Sequence, residues 1–110
     1  MKQGKIIHIF REVGEFAEDK DRAEQIRLTK IAPALENGET VILDFKKVNS
    51  ATQSFIHALI SDVIRKNGIE ILDKILFKNC NDIVKGVIEI VVDYMQDPLG
   101  IGSERKSTEK

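Results

Sequence analysis

Six apolar residues, Phe55, Ile56, Leu59, Ile60, Val63 and Ile64, recur with the period of an α-helix and constrain the chain more than any other feature. Ser54, His57, Ser61, Asp62 and Arg65 fall on the opposite side, so the segment predicts a helix with one face to bury and one to show. Such a stripe needs an apolar surface to lie on. Thr40-Val41-Ile42-Leu43-Asp44-Phe45 supplies one: a short, almost continuous apolar run of this kind reads as the central strand of a parallel sheet, covered on both faces. Asn67-Gly68 is the stop signal after the helix.

The rest of the chain repeats this strand-then-helix alternation. Ile6-Ile7-His8-Ile9-Phe10 is β-branched and aromatic and predicts a first strand. Asp21 is placed to cap a helix in which Leu28, Ile31, Ala32 and Leu35 fall at helical spacing, ending at Asn37-Gly38. Pro33 inside that helix removes a hydrogen bond, which predicts a kink or an irregular last turn. Ile69 to Asp73 fits loop, helical turn or strand start, and Ile75-Leu76-Phe77-Lys78 reads as a third strand. Asn81 or Asp82 then caps a helix carrying Ile83, Val84, Val87, Ile88, Val91, Tyr94 and Met95 along one face, with Pro98 and Gly100 at its exit. The expected fold class is α/β, a small sheet with helices packed on it in the order β-α-β-α-β-α. Residues 1–97 form a single domain, and 98–110 a polar tail expected to be disordered.

Composition limits what such a domain does. The chain has 110 residues, 42% hydrophobic and 32% charged, enough apolar matter for one core. Seventeen basic and eighteen acidic side chains leave a net charge of -1, which gives no overall field toward nucleic acid or an anionic membrane. One tyrosine and no tryptophan offer little surface for stacking bases. A single cysteine excludes an internal disulfide and favours a reducing compartment; with no signal peptide or membrane-spanning run in view, the expected location is cytoplasmic.

Catalytic and metal-binding patterns are not evident. His8 lies in a predicted strand and His57 on the polar side of a predicted helix, with no ligand spacing between them or to Cys80. Cys80 precedes a helix start, where the dipole lowers a thiol pKa, although a small packing residue is the commoner occupant of such a turn. Gly100-Ile101-Gly102 follows a helix and lacks the Gly-Lys-Ser/Thr of a phosphate loop. An enzyme using Ser54 or Cys80 as nucleophile has no general base assigned to it. Lys46 and Lys47 are adjacent lysines beside a strand, read as solvated. No catalytic residue, metal or cofactor is therefore expected.

Asn49-Ser50-Ala51-Thr52-Gln53-Ser54, between the central strand and the amphipathic helix, is the informative segment. Ser50 with Gln53 three residues later fits a capping box. Ser50, Thr52 and Ser54 also crowd hydroxyls around a helix N-terminus, where a phosphate would be favoured by the dipole and would change the charge presented to a partner.

Pro33-Ala34-Leu35-x-x-Gly38, Val41-x-Leu43-Asp44-Phe45-x-x-Val48 and Thr52-Gln53-Ser54-Phe55 together resemble the bacterial STAS-like domains of unknown function, relatives of the anti-sigma factor antagonist (STAS) domains. The similarity runs from about Arg22 to about Met95. In the better-known antagonists a strand ending in Asp-Leu-Ser-x-Val leads to Asp-Ser-Ser-Gly, whose first serine is phosphorylated by a partner kinase. Here Asp44-Phe45-Lys46-Lys47-Val48 matches the strand end, but Gln53 stands at the phosphoacceptor position, Thr52 replaces the aspartate, Phe55 replaces the glycine, and Ser54 matches the second serine. The phospho-switch does not carry over as it stands. The resemblance implies a scaffold that docks a regulatory protein, with an ATP-binding protein of histidine-kinase type as the preferred class of partner.

Two functions are thus expected to compete. The first is a non-enzymatic regulatory module that engages a protein through Ser50, Thr52, Gln53, Ser54, His57 and Ser61, under control of phosphorylation at a hydroxyl. The second is a small-ligand or nucleotide-binding domain that uses Asp44, Asn49 and Thr52 at the end of the central strand.

Overall fold

The computed structural model describes residues 4–96; the expected tail at 98–110 and the Gly100-Ile101-Gly102 segment lie outside the described residues. Three parallel strands form the main sheet: β1 (Lys5–His8), β3 (Val41–Asp44) and β5 (Ile75–Lys78), in the order β1-β3-β5. Lys5 pairs with Val41 and Val41 with Ile75, so the apolar run at 41–44 is the central strand, as its composition predicts. Two further short strands, β2 (Phe16–Ala17) and β4 (Ser50–Ala51), pair in parallel beside it. Two residues each are too few to leave an alternating pattern in the sequence.

The sheet is covered on one face only. Ile7, Val41, Leu43 and Ile75 are buried, whereas Ile6 and Leu76, which flank Ile42 in register, are exposed and Ile42 is half-buried. The expectation that the central strand is covered on both faces is therefore corrected: its apolar continuity comes from a partly shielded row, Ile6–Ile42–Leu76, on the open side.

Helix α4 (Gln53–Asn67) lies on the covered face and buries Phe55, Ile56, Leu59, Ile60, Val63 and Ile64. Burial of each such side chain contributes ~1.5–3 kcal/mol relative to leaving it in water. Gly68, at φ +86°, ends the helix by donating its N–H to the Ile64 carbonyl. A 3₁₀ turn, Ile69–Lys74, resolves the ambiguous stretch before β5.

Between β1 and β3 the path departs from expectation in three places. The extended segment stops at His8, and Ile9 and Phe10 open helix α1 (Ile9–Val13), with Ile9 fully buried. Helix α2 (Lys20–Ile26) is capped by Asp19, not Asp21: the Asp19 carboxylate accepts from the Asp21 and Arg22 N–H groups, which only a residue ahead of the first turn can do. After Ile26 comes a π-helical turn, Arg27–Ile31, and then helix α3 (Ala32–Glu36). This is the irregularity that Pro33 predicts, placed one turn before it. The wide turn separates the buried Ile26 from the buried Ile31 by five residues, so Leu28 turns to solvent and Arg27 turns inward. Helix α3 closes as expected at Asn37-Gly38: Gly38 sits at φ +80° and donates to the Leu35 carbonyl, and Glu39 donates to that of Ala34.

Helix α5 (Asp82–Gln96) is capped by Asn81, whose side-chain oxygen accepts from the Val84 N–H at 2.8 Å. Of its expected apolar face, Val84, Ile88, Val91 and Met95 are buried, while Ile83 and Tyr94 are exposed. Among the described residues no helix is long and apolar enough to cross a membrane.

Gly86 stands in the middle of α5, and a Cβ built on it meets nothing within 4 Å. Gly86→Ala should therefore stabilise the fold by about 0.5–1 kcal/mol, because alanine is the better helix former and nothing resists it. Urea unfolding reads this as a higher midpoint with an unchanged slope; a lower midpoint would contradict the helical environment described.

Candidate functional site

Helices α2 and α5 both pack against α4 and leave its outward side as the floor of a groove of about 790 Å³. The floor carries Gln53, Ser54, His57, Ala58, Ser61, Asp62 and Arg65, one wall Lys20, Asp21, Glu24 and Arg27, and the other Ile90, Val91 and Tyr94. Three segments far apart in sequence meet here because the apolar stripe of α4 faces the sheet and its polar stripe must face away.

Arg27 fixes the first wall to the floor. Only 8% exposed, it donates to Asp62 Oδ2 at 2.9 Å and to the Ala58 carbonyl at 3.5 Å, and pairs with Glu24 at 3.5 Å. Asp62 is shared with Arg65 at 3.1 Å. A guanidinium this deep is tolerated only when its charge and its N–H groups are matched, and these partners match them. On the second wall Tyr94 and Ile90 are 57% and 52% exposed, and the His57 and Tyr94 rings lie 6.3 Å apart at a tilt of 55°, within the range of an edge-to-face contact. The groove thus has an apolar lip, a polar floor and a mixed-charge wall whose buried arginine is neutralised within the chain.

The expected site residues distribute unevenly around it. Gln53, Ser54 and His57 line the groove, and Gln53 and Ser54 are exposed. Ser61 lines it too, but at 3% exposure it belongs to the buried floor and not to the outward stripe on which its spacing placed it. Thr52 and Ser50 are not among the lining residues. Thr52 is the N-cap of α4, its hydroxyl accepting from the Phe55 N–H at 3.1 Å. The capping box expected from Ser50 and Gln53 does not form, because Ser50 is already in β4, opposite Phe16. The pairing of β4 with β2 delays the helix start by two residues.

Asp44, Asn49 and Thr52, the alternative ligand set, are each committed elsewhere. Asp44, half-buried at the end of β3, accepts from Asn79 Nδ2 at 2.9 Å and from the Lys46 N–H at 3.0 Å, and His8 Nδ1 lies 3.4 Å from its other oxygen. Asn49 donates its amide to Glu15 Oε1, and its carbonyl accepts from Asn81. No hydrogen bond joins any two of the three. Lys47, at φ +73°, holds its ammonium 5.6 Å from the centre of the Phe10 ring. Cys80, half-buried, has its thiol pushed up by burial, with Lys85 opposing and Asp44 reinforcing, the reverse of what a reactive thiolate at a helix start requires. Among the described residues no group of three or more His, Cys, Asp or Glu side chains is gathered as metal ligands.

Arg27, Ile90 and Tyr94 are the most consequential of the groove residues that sequence reasoning missed, which also include Lys20, Asp21 and Glu24. An arginine among apolar positions at 23, 26 and 31 was the available signal for the first. For Ile90 and Tyr94 there was none, because α5 carries apolar residues over too wide an arc to show which part is buried.

The chain belongs to the family of STAS-like domains of unknown function, whose family model matches residues 22–85. That stretch covers α2 from Arg22 onward, the central strand and all of α4, and stops before Ile90 and Tyr94. No curated protein and no solved structure matches the chain.

Two measurements test this geometry. Thr52→Ala should cost about 1 kcal/mol by loss of the cap, with Ser50→Ala costing less than half as much; the opposite ranking in urea unfolding would restore the capping box. Asp44 is held below its ordinary value of 3.8, chiefly by the Asn79 amide and then by the Lys46 N–H, with burial opposing. Its contribution to stability is therefore complete above the unfolded-state value and lost as pH falls through the lower folded-state value. Asp44→Ala should destabilise the protein at pH well above 3.8, and its deficit relative to the parent should shrink at pH well below. A deficit independent of pH would contradict the charged hydrogen-bond cluster.

Proposed function

We propose that this STAS-like domain is a non-enzymatic regulatory module that holds a segment of a partner protein in the groove between α2, α4 and α5. The observation that carries the reading is the pairing of an exposed apolar lip, Ile90 and Tyr94, with a polar floor whose charges are already matched within the chain. A docked segment gains apolar contact at Tyr94 and Ile90 without stripping water from an unpaired charge, and aromatic and arginine side chains in a shielded pocket are the usual centres of binding energy. Gln53, Ser54 and His57 supply the polar contacts that fix register. The class of partner, an ATP-binding protein of histidine-kinase type, comes from the family resemblance.

Ser54 is the hydroxyl placed to regulate such docking. It is exposed, lies in the first turn of α4 and lines the groove, whereas Thr52 is spent on the cap and Ser50 is half-buried in β4. A phosphate there sits where the helix dipole favours it and sets close to two negative charges in the path of the incoming segment.

A photo-activatable phenylalanine analogue replacing His57 tests the reading in the native cell. The expected result is one dominant covalent adduct with a protein other than this chain, absent when the same analogue replaces Phe16 on β2 and reduced at least several-fold by Ser54→Glu. Equal adducts from both positions, or none from His57, would reject the groove as the docking site.

A further inference from the structure

Two polar side chains are buried among the described residues, Arg27 and Ser61, and both line the groove. Arg27 is matched by Asp62, Glu24 and the Ala58 carbonyl. Ser61, 3% exposed, is not: its hydroxyl makes no hydrogen bond to any described residue, whereas the Thr29 hydroxyl bonds back to the Gln25 carbonyl at 2.7 Å in the ordinary helical manner. A buried hydroxyl without a partner has lost its water and gained nothing in exchange, and native chains keep few such groups unless something else satisfies them. Ser61 stands on the groove side of α4, so what satisfies it arrives through the groove.

The space above it is shaped for a helix. Ser54, Ala58 and Ser61, four and three residues apart, are small and run along the middle of the floor for about 10 Å at 1.5 Å per residue. The α2 wall runs beside them. The Thr52 N–H donates to the Ala17 carbonyl at 3.0 Å just ahead of both helices, and Arg27 reaches Ala58 and Asp62 further along. Ile90, Val91 and Tyr94 of α5 bound the other side. A row of small side chains lets a second helix bring its axis within about 8–10 Å and seat its ridge between the walls. An extended segment fits less well, because its backbone N–H and C=O groups need partners and the three helices around the groove have theirs bonded internally. A helix arrives with its own backbone already paired.

We propose that the segment docked in the groove is an amphipathic α-helix whose apolar stripe carries one neutral hydrogen-bonding side chain, an amide or a hydroxyl, seated on Ser61. This rests on the docking reading above and specifies the ligand it leaves open. The apolar residues of the incoming helix meet Ile90, Val91 and Tyr94, and its Asn, Gln, Ser or Thr pairs with the Ser61 hydroxyl. A charged group is excluded at that point: Arg27, Glu24, Asp62 and Arg65 already pair with one another, so an added carboxylate or ammonium would have to break a pair to be matched itself. A stripe apolar throughout would leave the hydroxyl unpaired in the complex too. Ser61 thus discriminates between helices of otherwise similar shape.

Two substitutions separate this role from a part in folding. Ser61→Ala removes a hydroxyl that the free protein leaves unpaired and substitutes a better helix former, so the free protein gains stability while docking weakens. Ala58→Leu sets a branched side chain on the floor where the incoming helix makes its closest approach; Ala58 is half-buried and faces the groove, so the core is untouched.

The photo-activatable analogue at His57, carried by the full chain in its native cell, supplies the test. Mass spectrometry of the adduct identifies the cross-linked segment, which is then synthesised as a peptide. On binding the full chain the peptide is expected to gain helical circular dichroism, and its apolar stripe to carry an Asn, Gln, Ser or Thr. Replacing that residue by Ala weakens binding at least five-fold to the parent and less than two-fold to Ser61→Ala. Ala58→Leu lowers the adduct yield at least ten-fold and Ile6→Ala, on the open sheet face, leaves it unchanged, with circular dichroism confirming that each is folded; Ser61→Ala raises the urea midpoint. A parent that gives no adduct rejects the docking reading and this inference with it. An adduct undiminished by Ala58→Leu, a peptide that binds without becoming helical, an equal loss on the parent and on Ser61→Ala, or a lower midpoint for Ser61→Ala overturns the helix and its Ser61 contact while docking in the groove stands.

Discussion

The seating of α4 on the central strand is the contact on which the rest of the structure depends. Val41, Leu43 and Phe45 are fully buried, in one apolar core with Phe55, Ile56, Leu59, Ile60, Val63 and Ile64. A helix of fifteen residues with so much of its circumference buried has only one direction in which to point the remainder. Gln53, Ser54 and His57 thus face outward as a consequence of core packing. The groove then follows from what flanks them: α2, drawn in by Arg27 through Asp62, and α5, held by its own buried stripe. Fold and candidate site share one cause, since the energy that buries one stripe of α4 is what presents the other.

Because Arg27, Glu24, Asp62 and Arg65 are paired with one another within the chain, docking in the groove as proposed would rest on shape and on the apolar lip more than on electrostatic attraction. The ionisable groups held away from their ordinary values, Asp44 and Cys80, lie at the ends of β3 and β5 and outside the groove. Their shifts have structural causes: Asp44 ties the loop after β3 to that after β5 through Asn79, and Cys80 is raised mainly by burial. The carboxylate at the strand end, matched to the family pattern, serves here to fasten loops together.

How much of this was legible in the sequence depended on how far each signal extends along the chain. The strand at 41–44 and the helix after it were readable because each repeats its period several times, and the stop at Asn37-Gly38 was readable because only glycine adopts that backbone freely. The helix starts were less so. Asp19 and Thr52 each have a competing cap residue within two positions, and the choice at Thr52 is settled by β4 pairing with β2, a contact between residues more than thirty apart. The inward turn of Arg27 needed the π-helical step, which lone Pro33 signals without locating. On α5 the exposed and buried stripes are equally apolar, so no pattern could show which one meets the core.

Docking in the groove requires the outward side of α4 to be open to solvent while its inner side is sealed. Thiol-labelling rates on a Cys80→Ser background measure this directly, with single cysteines placed at Ser54, His57 and Ile56 and the protein kept dilute. Ser54→Cys should react at a rate approaching that of the unfolded chain and the half-buried His57→Cys somewhat more slowly, whereas Ile56→Cys should react only as fast as the protein opens. Protection at His57→Cys equal to that at Ile56→Cys would mean that the groove is closed, and would contradict docking there.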